Sequence, residues 1–368
     1  MLCLDPSKND TSVTLDLLRA AASLVVCVGH GLAFFFAELR PTTLPLMQNL
    51  GVLVFFLISG FLITHTLIQR SEDPQYGFWR FAVDRFARIY SGLIPALVLI
   101  VAIDALTIYL TGDGGEGKIA QLFNMRTLIA SLLNMESYRG IGKLAASPFG
   151  SASPLWTLAI EWHIYFFVAA VFFIVTRPRF RLYLVPVALF FGQTAIHFLF
   201  LSLESSGIGQ GLFSLWLGGS LVYFVSRRTH LPYPPAILLA MIGSAWFVSI
   251  VRPGEEYRLV AYPLLIAAFL GIIAASQGSH RLTWPPLVRS IRFLADYSFS
   301  LYLVHYTIMY AIWTLFPARG IAMFAVAVTT SNLVAIGLAE IGEKNHRRLA
   351  DFIFSRCSLG VRRPSPAE

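Results

Sequence analysis

Long, nearly uncharged apolar runs recur along the whole chain and constrain its fold more than any other feature. The run from 154 to 176, for example, contains one acidic residue, Glu161, and no lysine or arginine. A helix of about 18 or more such residues is long enough to cross a hydrocarbon core of roughly 30 Å. Charged residues make up 13% of the chain, against about 25% in soluble domains. The sequence therefore predicts an all-α, polytopic membrane protein.

The apolar runs predict ten membrane-spanning helices. Their approximate ranges are 15–37, 44–68, 91–111, 154–176, 182–203, 211–226, 232–251, 257–276, 296–316 and 320–341. With these spans, 20 of the 28 lysines and arginines fall on the side that holds both termini. Because cytoplasmic loops carry the excess of positive charge, we expect both termini to lie in the cytoplasm. This distribution accounts for the net charge of +8, so we expect membrane lipids as partners and no nucleic acid.

Two connecting segments differ from the short loops between the spans. Residues 71–90 are basic and amphipathic, and we expect them to form a cytoplasmic interfacial helix. Residues 112–153 form the one long external loop, with a helical part expected near 126–135. The transmembrane domain is expected to cover 1–343 and a basic cytoplasmic tail 344–368. The scattered cysteines lack the spacing of a disulfide framework or a metal site: Cys3, Cys27 and Cys357.

The first apolar run carries two ionisable residues on one helical face. In LDLLRAAASLVVCVGH, which starts at Leu15, Arg19 and His30 are eleven residues apart. In a helix, side chains at this spacing lie within about 20° of each other and about 16 Å apart along the axis. We expect Arg19 at the cytoplasmic interface and His30 near the middle of the membrane. Such a stripe faces a bundle interior or a water-filled cavity. The alternative, an interfacial anchor and a histidine bonded to a neighbouring helix, stays open.

Later spans contain two more ionisable residues at depth. Glu161 lies about 10 Å inside the fourth span, where a carboxylate costs roughly 2.5 kcal/mol or more unless it has a partner or a cavity. His305 lies deep in the ninth span, with Tyr302 three residues before it. Alone, His305 is best explained by hydrogen bonding between helices. Together, the imidazole and the carboxylate indicate a buried polar chamber.

The segment 71–90 contains a pair of arginines three residues apart, Arg85 and Arg88. The ordinary interpretation is an anchor of the positive-inside type, with solvated or lipid-paired guanidinium groups. The functional interpretation is a phosphate site, because guanidinium groups bind phosphates through two parallel hydrogen bonds. A large cytosolic anionic cofactor would then dock below the stripe formed by Arg19 and His30.

Five motifs follow one another along nearly the whole chain. They are Arg-x10-His at Arg19 and His30; Phe-Phe-x-x-Ser-Gly-Phe at 55–61, with Ser59; Arg-x-x-Arg-Ile at 85–89; Trp-x-Leu-x-x-Glu-x-x-x-Tyr at Trp156, Glu161 and Tyr165; and Tyr-Ser-x-Ser-x-Tyr-x-x-His, with Tyr302 and His305. In these motifs the chain resembles the acyltransferase 3 family, integral membrane O-acyltransferases of bacterial surface polysaccharides, O-antigen and Nod factors. It departs from the family where the proline behind the Arg-Ile pair is delayed to Pro95, and where Asn345 replaces a frequent proline.

The resemblance implies an acyl-CoA, most often acetyl-CoA, as donor and no metal. It implies a sugar hydroxyl of an exported polysaccharide or lipid-linked glycan as acceptor, in the bacterial inner membrane. The donor is expected to bind Arg85, Arg88 and Ser59. His30 is the expected general base, because an imidazole with a pKa of about 6.5 suits proton transfer near neutral pH.

Around this base, Arg19 is expected to orient the donor or stabilise its charge, and Glu161 to orient the acceptor or pair with His30. The acceptor is expected to contact the remaining motif residues: Glu161, Trp156, Tyr165, Tyr302 and His305. A transiently acylated His30 is an alternative to direct transfer.

Two other classes of protein share these features. A secondary transporter or flippase for a glycolipid would also have a polar chamber at the membrane midplane, although no pair of broken helices in matching halves is visible. An assembly subunit would use the polar residues only to hold helices together. The sequence leaves open the acceptor sugar, the length of the acyl group and the oligomeric state.

Overall fold

The structure is a computed structural model that describes residues 4, 10–36, 45–115, 119–140, 146–177, 179, 181–277, 282 and 284–357. Lys8, Arg281 and the tail beyond Cys357 lie outside these residues. The described part of the chain is helical and contains no strand. The predicted all-α fold is confirmed.

Thirteen α-helices follow one another along the described residues. They are α1 (Thr11–Phe35), α2 (Met47–Arg70), α3 (Phe78–Thr111), α4 (Met125–Leu132), α5 (Leu155–Thr176), α6 (Arg181–Phe200), α7 (Leu212–Arg228), α8 (Tyr233–Ile250), α9 (Tyr262–Gln277), α10 (Pro285–Asp296), α11 (Ser298–Leu315), α12 (Ile321–Ile341) and α13 (His346–Cys357).

Eight helical segments of the described chain are long and apolar enough to cross a membrane, and they make this a multi-pass membrane protein. They contain α1, α2, α3, α5, α6, α8, α9 and α12. The helices α7 and α11 are not among them, so the count of ten spans stays a prediction, as does the cytoplasmic position of both termini.

The third span begins earlier than predicted. The segment 71–90 is not a separate interfacial helix, because α3 runs without a break from Phe78 through Pro95 to Thr111. A proline inside a span is tolerated when its neighbours satisfy the freed backbone groups. The first turns of α3 are covered by α13, which packs Ala350 against Val83 and Ala87.

The helices α2 and α7 pack against each other at very short distance. A side-chain carbon on Gly60 would lie 1.9 Å from the Trp216 carbonyl oxygen, and one on Gly219 would lie 2.1 Å from the Leu57 carbonyl oxygen. Small residues allow such contact between helices inside a membrane. The Thr64 hydroxyl donates a hydrogen bond to Ser220 Oγ at 2.8 Å across the same contact.

The loop 112–153, whose external position stays a prediction, is tied back into the bundle near the start of α5. The amide and the hydroxyl of Ser151 donate to the Asp104 carboxylate of α3 at 2.8 and 2.7 Å. The Ser151 hydroxyl oxygen also lies 2.8 Å from Thr307 Oγ1 of α11. The helix expected near 126–135 is α4, which ends at Leu132. Loop residues 116–118 and 141–145 lie outside the described part.

Candidate functional site

A cavity of about 160 Å³ lies among α1, α2, α3, α5 and α11. We call it the inner cavity. Most of the residues predicted for the site line it: Arg19, Ser59, Arg85, Arg88, Glu161, Tyr165 and Tyr302. Because these residues come from five helices spread over the sequence, the fold brings together what the motifs only placed in order.

Three guanidinium groups line the inner cavity, and they differ in their partners. Arg19 pairs with Asp16 one turn before it, with a nitrogen–oxygen distance of 2.7 Å. Arg88 pairs with Glu343 at 2.9 Å, and the second oxygen of Glu343 accepts hydrogen bonds from the amide and hydroxyl of Ser300 at 3.0 Å. Glu343 is 2% exposed. Two of the three cations are therefore neutralised by carboxylates of the chain.

Arg85 has no such partner. Within the described residues no carboxylate forms an ion pair with it, and its buried Nε has no hydrogen-bond partner. Its guanidinium carbon lies 5.8 Å from the centre of the Phe81 ring, on the preceding turn of α3. A guanidinium group in this situation has the hydrogen-bonding capacity to bind an anion through two parallel bonds.

A chain of hydrogen bonds lies along the wall formed by α2, α5 and α7. The indole Nε1 of Trp216 donates to Ser59 Oγ at 3.0 Å, and Ser59 donates to the Tyr165 hydroxyl at 2.9 Å. The Tyr165 hydroxyl donates to Glu161 Oε1. Glu161 and Tyr165 meet because they are four residues apart on one helix. Tyr165 is thus a partner of the Glu161 carboxylate, as the sequence required of a buried acid.

His30 lies outside the lining of the inner cavity. It is half-buried and its ring centre lies 5.3 Å from that of His305 and 5.0 Å from that of Tyr306, both on α11. Tyr302 connects this cluster to the cavity, because it lines the cavity and its ring centre lies 6.1 Å from that of His305. His30 therefore faces the bundle interior, one layer of rings away from the cavity.

The hydrogen bonding of His305 fixes its tautomer. Its Nδ1 lies 2.9 Å from the Leu301 carbonyl oxygen, and since a carbonyl only accepts, Nδ1 carries the proton. Its Nε2 is buried and has no hydrogen-bond partner among the described residues. This nitrogen holds a free lone pair next to the His30 ring.

Trp156, the remaining predicted residue, lines a second cavity on the side of the external loop. The first turn of α5 borders both cavities, because Thr157 and Leu158 line the inner one. The Tyr302 hydroxyl bonds to the Thr157 hydroxyl and lies 2.9 Å from the Pro154 carbonyl oxygen, to which it donates. These contacts close the inner cavity toward the external loop.

Sequence reasoning missed two side chains of this site. Trp216 was treated as part of an apolar span, although an indole N–H inside a membrane needs an acceptor. Glu343 was treated as the boundary of the tail, and its polar neighbours in the sequence, among them Glu340 and Lys344, gave no signal of its burial. Among the described residues, no three His, Cys, Asp or Glu side chains are grouped as metal ligands.

Comparisons with known proteins give a consistent result. Residues 13–340 match the model of a family described as an acyltransferase domain. The chain is 26% identical over 338 residues to the peptidoglycan O-acetyltransferase OatA of Listeria monocytogenes, covering 80% of this chain and 49% of that protein. It is 29% identical over 294 residues to Nodulation protein 10 of Rhizobium leguminosarum, covering 71% of this chain and 72% of that protein.

A third relative, an uncharacterized protein of Haemophilus influenzae, is 27% identical over 190 residues, which cover 52% of this chain and 72% of that protein. The chain spans about half the length of the first of these relatives. No solved structure matches it.

Proposed function

The chain belongs to the acyltransferase 3 family, and from this premise we propose that it moves an acyl group from acyl-CoA, foremost acetyl-CoA, to a glycan hydroxyl. The names of the relatives support an acceptor of the polysaccharide type, since one is a peptidoglycan O-acetyltransferase. We place the reaction in a bacterial inner membrane. The observation that carries the proposal is the inner cavity, in which no carboxylate of the described residues pairs with Arg85.

Coenzyme A is an anion with a slender arm that ends in the reactive thioester. Its phosphates would bind Arg85 first, because Arg88 and Arg19 are already paired with carboxylates. The pantetheine arm spans about 15–20 Å when extended. It would lie along the cavity with Ser59 on its wall and bring the thioester toward Tyr302. This cavity closes at Tyr302, next to the histidine cluster.

The proposed step is direct transfer, with His30 as general base. The acceptor oxygen attacks the thioester carbonyl carbon while its proton passes to the imidazole of His30. The carbon–sulfur bond then breaks, and the proton is returned to the departing thiolate of CoA. His30 is near but not on the cavity wall, so the ring of Tyr302 must move for this contact.

The test combines donor binding with product formation. Purified protein in lipid nanodiscs is incubated with radiolabelled acetyl-CoA and a polysaccharide acceptor, and label in the glycan is counted. Loss of a charge-assisted contact of about 1.5–3 kcal/mol predicts that Arg85→Ala raises the KM for acetyl-CoA by roughly 10- to 150-fold.

Arg80→Ala is the matched control, since Arg80 lies on the same helix but pairs with Asp84 and Asp351. An unchanged KM in Arg85→Ala would remove the docking site. Acceptor movement across the membrane without labelling would indicate a transporter, and neither activity would indicate an assembly subunit.

A further inference from the structure

A second cavity, of about 530 Å³, lies on the side of the external loop. We call it the outer cavity. It shares no lining residue with the inner one, and its volume is within the range of about 300–1,000 Å³ usual for small-molecule sites. Its described walls come from the start of α4 and the residues before it, from Glu136, Arg139 and residues 146–148, from the start of α5 and from residues 203–204.

The segment 134–139 builds one wall of this cavity, and it is fixed at several points. Asn134 has a φ of 53°, a left-handed conformation that asparagine adopts more readily than most residues. The Ser137 hydroxyl donates to the Trp156 carbonyl oxygen at 2.7 Å. Tyr138 packs with its ring centre 5.4 Å from that of Phe190. Because the backbone is held on both sides of Glu136, the position of this carboxyl group is set in advance.

Glu136 is the unexplained group in the outer cavity. The residue is 5% exposed and lines the cavity. The Ser131 hydroxyl lies near its carboxyl group, yet within the described residues neither carboxyl oxygen has a hydrogen bond of ordinary geometry. Buried polar groups in native proteins are nearly always paired. Burial raises the pKa of this carboxyl from 4.5 to about 8, so near neutral pH it is able both to donate and to accept a hydrogen bond.

Other polar side chains, besides that of Glu204, line the same cavity. Arg139 is anchored by donating to the Leu203 carbonyl oxygen at 2.8 Å, and Glu204 lies close enough to attract it. Arg126 and Asn124 complete the polar lining. Glu204 is the one carboxylate of the described lining that stays ionised near neutral pH, since Glu136 then holds its proton, and it lies beside Arg139.

The indole of Trp156 supplies the apolar face. It is half-buried and lines the cavity, and the Tyr257 ring supports it edge-on with 6.3 Å between ring centres. A flat aromatic surface beside hydrogen-bonding groups matches a pyranose ring, which has an apolar face and a polar rim. Trp156 directly precedes Thr157 of the inner cavity, so a sugar here would lie beside the first turn of α5, which borders the donor's site.

We propose that the outer cavity binds a neutral sugar unit of the acceptor glycan, with Trp156 against the ring and Glu136 bonded to its hydroxyl groups. This inference rests on the proposed function, because it places the acceptor of that reaction. It differs from the predicted acceptor site, in which Trp156 was grouped with residues that line the inner cavity.

Binding is measured directly, without catalysis, by saturation-transfer NMR and calorimetry on the protein in nanodiscs. The probes are the neutral chitotetraose and the acidic tetragalacturonate. We expect chitotetraose to bind, and Glu136→Ala and Trp156→Leu to weaken it by about tenfold or more, as for the loss of one or two hydrogen bonds or of ring packing. Glu255→Ala is the matched control, since Glu255 lies in another external-side loop and pairs with Arg258.

Two checks keep the result interpretable. Glu136→Gln preserves the shape of the side chain and guards against a misfolded alanine variant. The KM for acetyl-CoA should be unchanged in every variant. Equal chitotetraose affinity in all variants, no chitotetraose binding by the wild type, or a preference for tetragalacturonate would each overturn the inference. Binding without any acetyl transfer would overturn the proposed function and leave the sugar site standing.

Discussion

The contact between α2 and α7 allows one perturbation to be worked out from the coordinates. In Gly60→Ala, the new methyl carbon would lie 1.9 Å from the Trp216 carbonyl oxygen and 3.2 Å from the Ser220 nitrogen. Approaches closer than 3.0 Å are essentially never observed for such a carbon. Since the obstacle is a backbone oxygen, no side chain can rotate away to make room. The two helices must therefore separate by about 1 Å at this level, which is the difference between the contact limit of 3.0 Å and the 1.9 Å approach to the Trp216 oxygen.

The cost of that separation has two parts. Overpacking of a close-packed interior costs about 1–3 kcal/mol. Two hydrogen bonds that cross the contact, Thr64 to Ser220 at 2.8 Å and Trp216 to Ser59 at 3.0 Å, contribute about 0.5–1.5 kcal/mol each. The expected loss is roughly 2–6 kcal/mol. With about 2.1 cal/mol/K of unfolding entropy per residue, this lowers the melting midpoint by roughly 3–8 °C.

The assay is thermal melting in detergent, combined with acyl transfer. Gly337→Ala is the matched control, because nothing lies within 4 Å of a side-chain carbon added there. In the interior of α12 this change should stabilise slightly, since glycine is less favourable than alanine in a helix by about 1 kcal/mol. Gly60→Ala should also raise the KM for the donor, because Ser59 moves with the helix. Equal melting midpoints for the two variants would refute the reasoning.

Three further predictions concern titratable groups. Glu136 has a folded pKa of about 8 against 4.5 in the unfolded chain, so the folded state keeps a proton that the unfolded chain releases, and stability should fall as the pH rises from about 4.5 through 8. Melting of Glu136→Gln at pH 5 and pH 9 should lack this fall; a wild type equally stable at both would contradict it. Glu343→Ala leaves Arg88 and the Ser300 amide without the carboxylate and should lower the free energy of unfolding by about 3–5 kcal/mol, measured by melting. A loss below 1 kcal/mol would mean that water replaces the carboxylate. His30→Ala should lower kcat by about 10²-fold or more with acetyl-CoA binding unchanged, and the exposed His230→Ala is its control; retained transfer removes the base assignment.

The helices could be predicted because a membrane-spanning helix requires a long apolar run, and such runs can be identified in the sequence without any knowledge of the fold. Boundaries failed where a polar helix continues into an apolar one. The segment 71–90 has the charge of an interfacial helix, but its part from Phe78 onward continues without a break through Pro95 into the apolar span of α3. Whether its basic face meets lipid or protein is decided by α13, which is far away in the sequence.

For the site, the motifs identified side chains but not their partners. Arg85 and Arg88 look equivalent in the sequence, and only the fold separates them, by bringing Glu343 to Arg88. The helical spacing placed Arg19 and His30 on one stripe, yet the rings of α11 stand between His30 and the cavity. Glu136 lies in a polar loop, where a carboxylate is ordinary and the sequence gives no sign of burial. Its burial follows only from the packing of the loop.

The turn of α5 between the two cavities has a consequence for the cell as a whole. A continuous aqueous pore through the bundle would conduct protons and dissipate the electrochemical gradient across the bilayer. Thr157, Tyr302 and Pro154 interrupt such a path with hydrogen bonds already satisfied among themselves. The membrane thereby remains an insulator, and under the proposed function this thin barrier needs to yield only enough for an acyl group to meet its acceptor.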